Sequence, residues 1–187
     1  NVNKVKNSFV YSSATDRGLT TLLEMWPQIK QGLPDATLNV CTPPYSEKWG
    51  YEVNMQDGVT WLGALPPKKL YEQISKSEYW LYPSKYPETY CISALEMMLG
   101  GVKICSTNTG NLDSLLNGRG KIVDNGRLEI DMTREMIDMI FRDNGTCHDD
   151  KKFHYDWYKQ TVDNKKWVVN ESWNTRVEEW LHVMNTL

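Results

Sequence analysis

Short apolar runs alternate along the chain with longer segments in which apolar residues recur every three or four positions. Six of the runs are rich in β-branched and aromatic residues and are bounded by turn-forming residues, which predicts strands at 8–11, 36–41, 59–63, 79–82, 102–106 and 121–123. Helical spacing follows four of them, at about 19–29, 70–74, 92–99 and 112–116. Strands that alternate with helices through short connections predict an α/β fold, with a parallel sheet of about six strands and helices on both faces.

The last third of the chain carries mainly helical patterns. Residues 132–141 place apolar side chains on one face, another helix begins near Phe153, and residues 173–184 mark a final one. We therefore expect one domain over residues 1–187, in which 132–187 is a helical tail. A chain of 187 residues is long enough to bury a substantial core.

Small and polar residues follow several of the predicted strands. Such loops come after the strands that end at Tyr11, Gly63, Tyr82 and Ser106. Because the carboxyl ends of parallel strands lie at one edge of a sheet, these loops are expected to converge. Small residues let the backbone approach a ligand, and N–H groups at helix starts attract anions. The pattern favours one nucleotide-like binding site at this edge.

The segment 83–101 is the centre of the candidate site. Two prolines interrupt regular structure there, and two carboxylates, Glu88 and Glu96, stand with seven residues between them. A helix that began at Glu88 would separate the two side chains by about 80° and ~12 Å. If the loop instead continues to about Ile92, Glu88 folds back over the helix start and Glu96 projects from the first or second turn. That second arrangement suits a phosphorylated, polyhydroxylated ligand.

The loop from Ser12 to Gly18 is a second candidate feature. Arg17 brings a positive charge of planar geometry that suits phosphate, next to the N–H groups of the following helix start. This arrangement predicts a diphosphate-binding loop. The alternative is an ordinary strand–helix turn with a solvated arginine.

Three motifs together resemble a known signature. They are Pro-Ser-x-x-x-Glu at 83–88, Leu-Glu-Met-Met-x-Gly-Gly-Val-Lys-Ile at 95–104, and Tyr-Ser-Ser-x-x-x-Arg-Gly-Leu at 11–19. With the spacing of the two glutamates, they resemble the donor site of retaining glycosyltransferases with the GT-B fold, of the glycosyl transferases group 1 type. The resemblance implies a Rossmann-like domain that is the C-terminal, donor-binding half of a GT-B fold. The N-terminal acceptor-binding domain, its expected partner, is not found in this chain.

The resemblance also implies roles for individual residues. Arg17 would stabilise charge on the leaving diphosphate and Glu88 would bind hydroxyls of the donor sugar, so these two are the candidate catalytic residues. Glu96 would accept hydrogen bonds from the ribose. The other donor-binding candidates belong to the same two loops: Ser12, Ser13, Thr89, Tyr90, Cys91 and Ile92. A UDP- or GDP-sugar would be the co-substrate, with no metal and no further cofactor.

The chain departs from the family pattern in two places. Many relatives carry an Arg early in the first loop and a Lys before its Gly, whereas this chain has Ser12-Ser13 and then Arg17. One expected cation is therefore missing, which lowers the expected donor affinity. Relatives also have Phe-Gly-Leu where this chain has residues 90–92, Tyr-Cys-Ile, so the backbone has less room to approach a sugar.

Composition and missing motifs exclude several classes. A net charge of −3 and a pI near 5.7 argue against a nucleic-acid partner. The sequence has no apolar run long enough for a transmembrane segment and no secretory leader, and its four cysteines are widely spaced, so we expect a cytoplasmic protein with reduced thiols. It contains no Walker motif, no Gly-x-Gly-x-x-Gly after the first strand and no nucleophile elbow, against an ATPase, a dinucleotide oxidoreductase and a hydrolase. Residues 147–150 with His154 lack a second ligand pair at zinc-like spacing.

Two other functions stay open at this point. One is a non-catalytic sugar-nucleotide binding or interaction module with the same fold. The other is a different sugar-nucleotide enzyme of this architecture, such as an epimerase. The chain opens at Asn1 rather than Met, as a segment of a longer protein would. Without the acceptor-binding domain we expect it to bind nucleotide weakly and to transfer nothing.

Overall fold

The computed structural model describes residues 3–46, 56–145, 161–170 and 173–186. The strands there are β1 (Ser8–Ser12), β2 (Thr37–Cys41), β3 (Val59–Gly63), β4 (Tyr79–Tyr82), β5 (Lys103–Thr107) and β6 (Lys121–Val123). The helices are α1 (Leu19–Gly32), α2 (Pro67–Lys76), α3 (Ile92–Gly100), α4 (Leu112–Leu116), α5 (Glu129–Asp143), α6 (helical residues 161–169) and α7 (Trp173–Thr186). The predicted strands, and the predicted helices between them, are confirmed with small shifts at their ends.

The sheet has the topology of a doubly wound α/β fold. All six strands are parallel and lie in the order β3-β2-β1-β4-β5-β6. The chain first adds strands on one side of β1 and then crosses over to add β4 on the other side. The order of strands therefore reverses between β1 and β4, and sheets of this kind bind ligands in the crevice above that point, at the carboxyl ends of the strands. The predicted Rossmann-like fold is confirmed.

The central strands are buried along their whole length, and aromatic side chains join them. Every residue of β1, β4 and β5 is buried. Phe9 on β1 stacks on Tyr79 of β4 with ring centroids 5.0 Å apart, and Trp26 of α1 meets Phe9 edge to face at 5.4 Å. Burying side chains of this size contributes roughly 2–3 kcal/mol each. Much of the aromatic content is thus core packing, and it fixes β1 against β4 beneath the crevice.

Two of the helices after β6 pack against the main core. α5 begins at Glu129, earlier than predicted, and buries Met132, Met136 and Ile140 in the main core. Trp167 of α6 packs partly buried against the same core, with the Arg119 guanidinium 4.0 Å above its ring. The final helix is confirmed as α7. The helix predicted near Phe153 and the cluster at 147–150 with His154 lie outside the described residues.

In the part of the chain described here, no helix is both long enough and apolar enough to cross a lipid bilayer.

Candidate functional site

The loops at the carboxyl edge of the sheet interlock at two glycines. Gly18, at the start of α1, has φ +93°, and a Cβ added there would lie 2.6 Å from the Pro83 carbonyl oxygen. Gly110, after β5, has φ +61°, and its added Cβ would lie 2.4 Å from both the N and the O of Glu88. Glycine is the residue that fits both the positive φ and the close approach. The first loop and the loop after β5 therefore both press against the segment that carries Glu88.

Hydrogen bonds to the backbone hold that segment in place. The carbonyl of Ser84 accepts from the hydroxyls of Thr107 and Thr109, the latter at 2.9 Å. The Asn111 N–H donates to the Glu88 carbonyl at 2.7 Å. α3 then begins only at Ile92, so the arrangement in which Glu88 lies in the loop and Glu96 in the second turn of the helix is the observed one.

A cavity of about 340 Å³ opens beside this segment, above the ends of β1, β2 and β3. Its walls come from the first loop, from the loops after β2 and β3, and from facing positions on α2 and α3: Ser12, Ser13, Ala14, Cys41, Thr42, Pro43, Pro44, Tyr45, Gly63, Ala64, Leu65, Leu70 and Ser93. None of these lining residues is charged. The Thr42 hydroxyl is buried and makes no hydrogen bond within the protein. It is therefore available to form a hydrogen bond with a ligand in the cavity.

Arg17 lies close to Glu88 and stacks on an aromatic ring. Its guanidinium carbon is 3.0 Å from the centroid of Tyr86, and its Nε pairs with Asp16 at 3.4 Å. Burial opposes the charge, but hydrogen bonding by Tyr86 and the carboxylates of Asp16 and Glu88 outweigh it and raise the pKa of Arg17. Its Nη1 is buried without a hydrogen-bond partner. A fixed cation with an open donor suits an anionic ligand.

The Glu88 side chain is half-buried, and its carboxylate is bound by a residue of the underlying strand β4. Its Oε1 accepts a hydrogen bond from the Tyr82 hydroxyl at 2.7 Å, and the Ser13 hydroxyl lies 3.1 Å from the same Tyr82 oxygen. This contact joins two candidate residues, Ser13 and Glu88, through a residue of β4. Arg17, Ser13 and Glu88 thus come together above the carboxyl ends of β1 and β4, where the connections after the two strands lead away in opposite directions.

The start of α3 exposes its backbone next to these groups. The side chains of Thr89, Tyr90 and Ile92 are exposed, whereas Cys91 is buried. Burial raises the pKa of Cys91 to about 12, and the charges of Glu88 and Glu96 add to the shift. A buried thiol with a raised pKa is a poor nucleophile, so we expect no covalent role for Cys91.

Glu96 lies apart from the cavity lining. It is half-buried on the side of α3 that faces α2, where burial raises its pKa and a hydrogen bond from Tyr71 partly opposes the shift. Ser93, one turn earlier on α3, is the residue of that helix that lines the cavity.

Sequence reasoning missed the aromatic residues of the site. Tyr82 was predicted only as part of a buried apolar strand, and Tyr86 only as a residue of the loop. The available signal was a hydroxyl-bearing ring at the carboxyl end of a strand, because a buried tyrosine needs a hydrogen-bond partner there. Thr42, directly after the second predicted strand, was not singled out by the sequence reasoning.

Comparison with known proteins identifies the family. The model of the family described as glycosyl transferases group 1 matches residues 2–157. The chain belongs to this family. Comparison with proteins of curated function yields no relative.

Solved structures of glycosyltransferases share the fold of this group 1 glycosyltransferase chain. The pneumococcal O-GlcNAc transferase GtfA, in complex with UDP and GlcNAc, matches 96% of the chain with a TM-score of 0.63 at 18% identity. HepE of Anabaena, in complex with UDP and glucose, matches 97% with a TM-score of 0.68 at 13% identity. A glycosyltransferase from Rickettsia africae matches 96% with a TM-score of 0.68 at 16% identity. The chain covers 37%, 49% and 47% of these three proteins, so it corresponds to one part of each.

Proposed function

We propose that this chain is the C-terminal, donor-binding domain of a glycosyltransferase that moves a sugar from a nucleotide-sugar to an acceptor with retention of configuration. The observation that carries the proposal is that Arg17 and Glu88 meet at the switch point between β1 and β4, beside an open cavity over the ends of β1, β2 and β3. Membership of the group 1 family and the sugar and UDP complexes of similar folds support it.

In this proposal the nucleoside occupies the cavity. Its uncharged wall suits a base and a ribose, and the buried Thr42 hydroxyl offers a hydrogen bond to either. Ser12 and Ser13 face the diphosphate from the first loop. Uracil is the base we favour, because the similar structures with bound nucleotide contain UDP.

The diphosphate and the sugar then reach the residues next to the cavity. Arg17 and the N–H groups at the start of α3, from Cys91 and Ile92, stabilise the negative charge that develops as the diphosphate leaves. Glu88 accepts hydrogen bonds from the sugar hydroxyls, beside Thr89 and Tyr90. These groups act without a metal or another cofactor, and the acceptor binds to an N-terminal domain.

Glu96 has a narrower role in the proposal. Its carboxylate lies one turn beyond Ser93, so it takes part in binding only if the ribose reaches past the cavity toward α2. Replacing Glu96 with Ala tests this directly, since a ribose contact predicts weaker binding of every nucleoside diphosphate.

The proposal is tested by calorimetric titration with UDP, GDP, their sugar esters and uridine. Arg17→Gln should weaken UDP binding by about tenfold or more, because it removes a charge-assisted contact to phosphate, and should leave uridine binding unchanged. Arg142→Gln, an exposed arginine at the opposite end of the sheet, is the matched control. Absence of binding at millimolar ligand, or equal losses in the two variants, would contradict donor binding.

A non-catalytic nucleotide-sugar module is the second candidate. It is favoured by the absence of charged residues from the described cavity lining and by the engagement of Arg17 with Asp16 and Tyr86. Joining the chain to an acceptor-binding domain and measuring transfer of labelled sugar separates the two functions. Transfer supports the enzyme, and tight donor binding without transfer supports the module.

A further inference from the structure

Tyr82 ends β4 beneath the segment that carries Glu88, and its side chain is completely buried. Its ring stacks on Trp80 with centroids 4.4 Å apart and 18° between the planes. It also packs against Tyr11 of the adjacent strand β1 at 6.3 Å. Aromatic neighbours from both strands of the switch point thus fix the ring, and core packing sets the position of its hydroxyl.

The direction of the hydrogen bonds at this hydroxyl follows from counting protons. A carboxylate only accepts, and a phenol has a single proton to donate. Tyr82 therefore donates to Oε1 of Glu88, and Ser13 donates to the Tyr82 oxygen. Burial is the main reason that the pKa of Tyr82 lies well above its usual value, so the hydroxyl keeps its proton at any ordinary pH.

We propose that Tyr82 is a positioning residue that orients the Glu88 carboxylate toward the donor sugar and links it through Ser13 to the diphosphate-binding loop. The inference rests on the proposed function, in which Glu88 binds sugar hydroxyls. With Oε1 held by the core, the second carboxylate oxygen is left for the ligand.

The other contacts described for the Glu88 segment do not orient the Glu88 carboxylate. Gly110 and Asn111 fix only the backbone of Glu88. The neighbouring side chains Thr89 and Tyr90 are exposed, and Glu88 itself is only half-buried. Without the Tyr82 hydroxyl the Glu88 side chain would gain rotamer freedom that sugar binding must then remove.

Tyr82→Phe keeps the stacked ring and removes only the hydroxyl, so it isolates the proposed role. The experiment is a double-mutant cycle on the 187-residue chain with Tyr82→Phe, Glu88→Ala and the double variant. Calorimetry measures binding of UDP, UDP-glucose, GDP and GDP-mannose to each protein. We expect Tyr82→Phe to weaken the sugar-nucleotide by about tenfold and the matching nucleoside diphosphate by less than about twofold. In the Glu88→Ala background the same change should cost no further affinity for the sugar-nucleotide.

Tyr79→Phe is the matched control, since it removes the hydroxyl of another buried tyrosine of β4 that lies at the far end of the strand and bonds to Asp143. It should leave both affinities unchanged. If wild-type protein binds a sugar-nucleotide and Tyr82→Phe binds it equally well, or weakens it equally with and without Glu88, the role of Tyr82 is refuted while the proposed function stands. If the wild-type chain binds none of the four ligands, the proposed function fails and the inference fails with it.

Discussion

The charged side chains at the two ends of the sheet are paired to different degrees. At the amino end, Lys103 is almost fully buried and its Nζ lies 2.9 Å from Glu78 and 2.5 Å from Asp143. The Tyr79 hydroxyl donates to Asp143, and the Asn144 side chain donates to Tyr79 at 2.9 Å. Each charged group of this network has a partner within the protein.

At the carboxyl end, buried polar groups are left open. Arg17 Nη1 and the hydroxyls of Thr42 and Ser46 are buried without hydrogen-bond partners. An unpaired buried polar group costs roughly 1–3 kcal/mol. A fold tolerates such a cost where a ligand supplies the missing partner, so the paired charges at the amino end indicate a structural network and the open donor of Arg17 at the carboxyl end indicates a candidate ligand site.

The largest effect is expected from breaking the network at the amino end. Lys103→Met keeps the length of the side chain but leaves Asp143, whose side chain is 0% exposed, without its cation. The free energy of unfolding should fall by about 3–5 kcal/mol, as it does when one partner of a buried ion pair is removed. Urea denaturation measures the change.

Arg127→Ala is the control for this prediction. It removes an exposed ion pair with Glu135, joined at 2.8 Å, and should cost at most about 1 kcal/mol. Equal losses in the two variants would show that the buried network is no more important than a surface pair.

The next largest effect is expected at the interlocked loops. Gly18→Ala forces a side chain into a positive φ and against the Pro83 carbonyl, so it should destabilise the fold by about 3 kcal/mol and weaken nucleotide binding. Gly118 has φ +77°, and an added Cβ would have no atom within 4 Å. Gly118→Ala should therefore lower the free energy of unfolding only through backbone strain, by about 1 kcal/mol. Thermal denaturation of both variants gives the difference, and no difference would mean that the Gly18–Pro83 approach is not tight.

The smallest effect on stability is expected at Glu96. Its folded-state pKa is raised, so the folded protein binds a proton more readily than the unfolded chain, and the carboxyl favours folding at low pH. That contribution is lost as the pH rises from the unfolded pKa through the raised folded one. At pH 7, Glu96→Gln should therefore be neutral or stabilising by up to about 0.5 kcal/mol, since solvent screens a half-exposed group.

Glu96→Gln should also flatten the pH dependence of stability in the range that begins at the ordinary glutamate pKa of about 4.3 and extends above it. Urea denaturation across that range, with the exposed Glu24→Gln as a control, measures it. A clear loss of stability at pH 7 would indicate that Glu96 is a structural residue.

Local patterns predicted much of the fold, because strand propensity and helical spacing act over a few residues. The six strands and the Gly-terminated α3 are examples, whereas the start of α3 at Ile92 was one of two arrangements that the sequence left open. The convergence of the loops followed as well, because it needs only a parallel sheet. α5 was predicted too short, because Glu129 and its neighbours carry no apolar period and are held in the helix by contacts such as that of Glu129 with Thr21.

The sequence alone determined that this chain folds as a parallel α/β domain and that Arg17, Glu88 and Glu96 follow strand ends. Only the tertiary structure decided which of them meet. Ser13 and Tyr82 are 69 residues apart in the chain, and Lys103 and Asp143 are 40 apart, so their contacts depend on strand order and side-chain packing. Periodicity identifies the face on which a residue lies, whereas a hydrogen-bond partner across the sheet is set by the packing of the whole core.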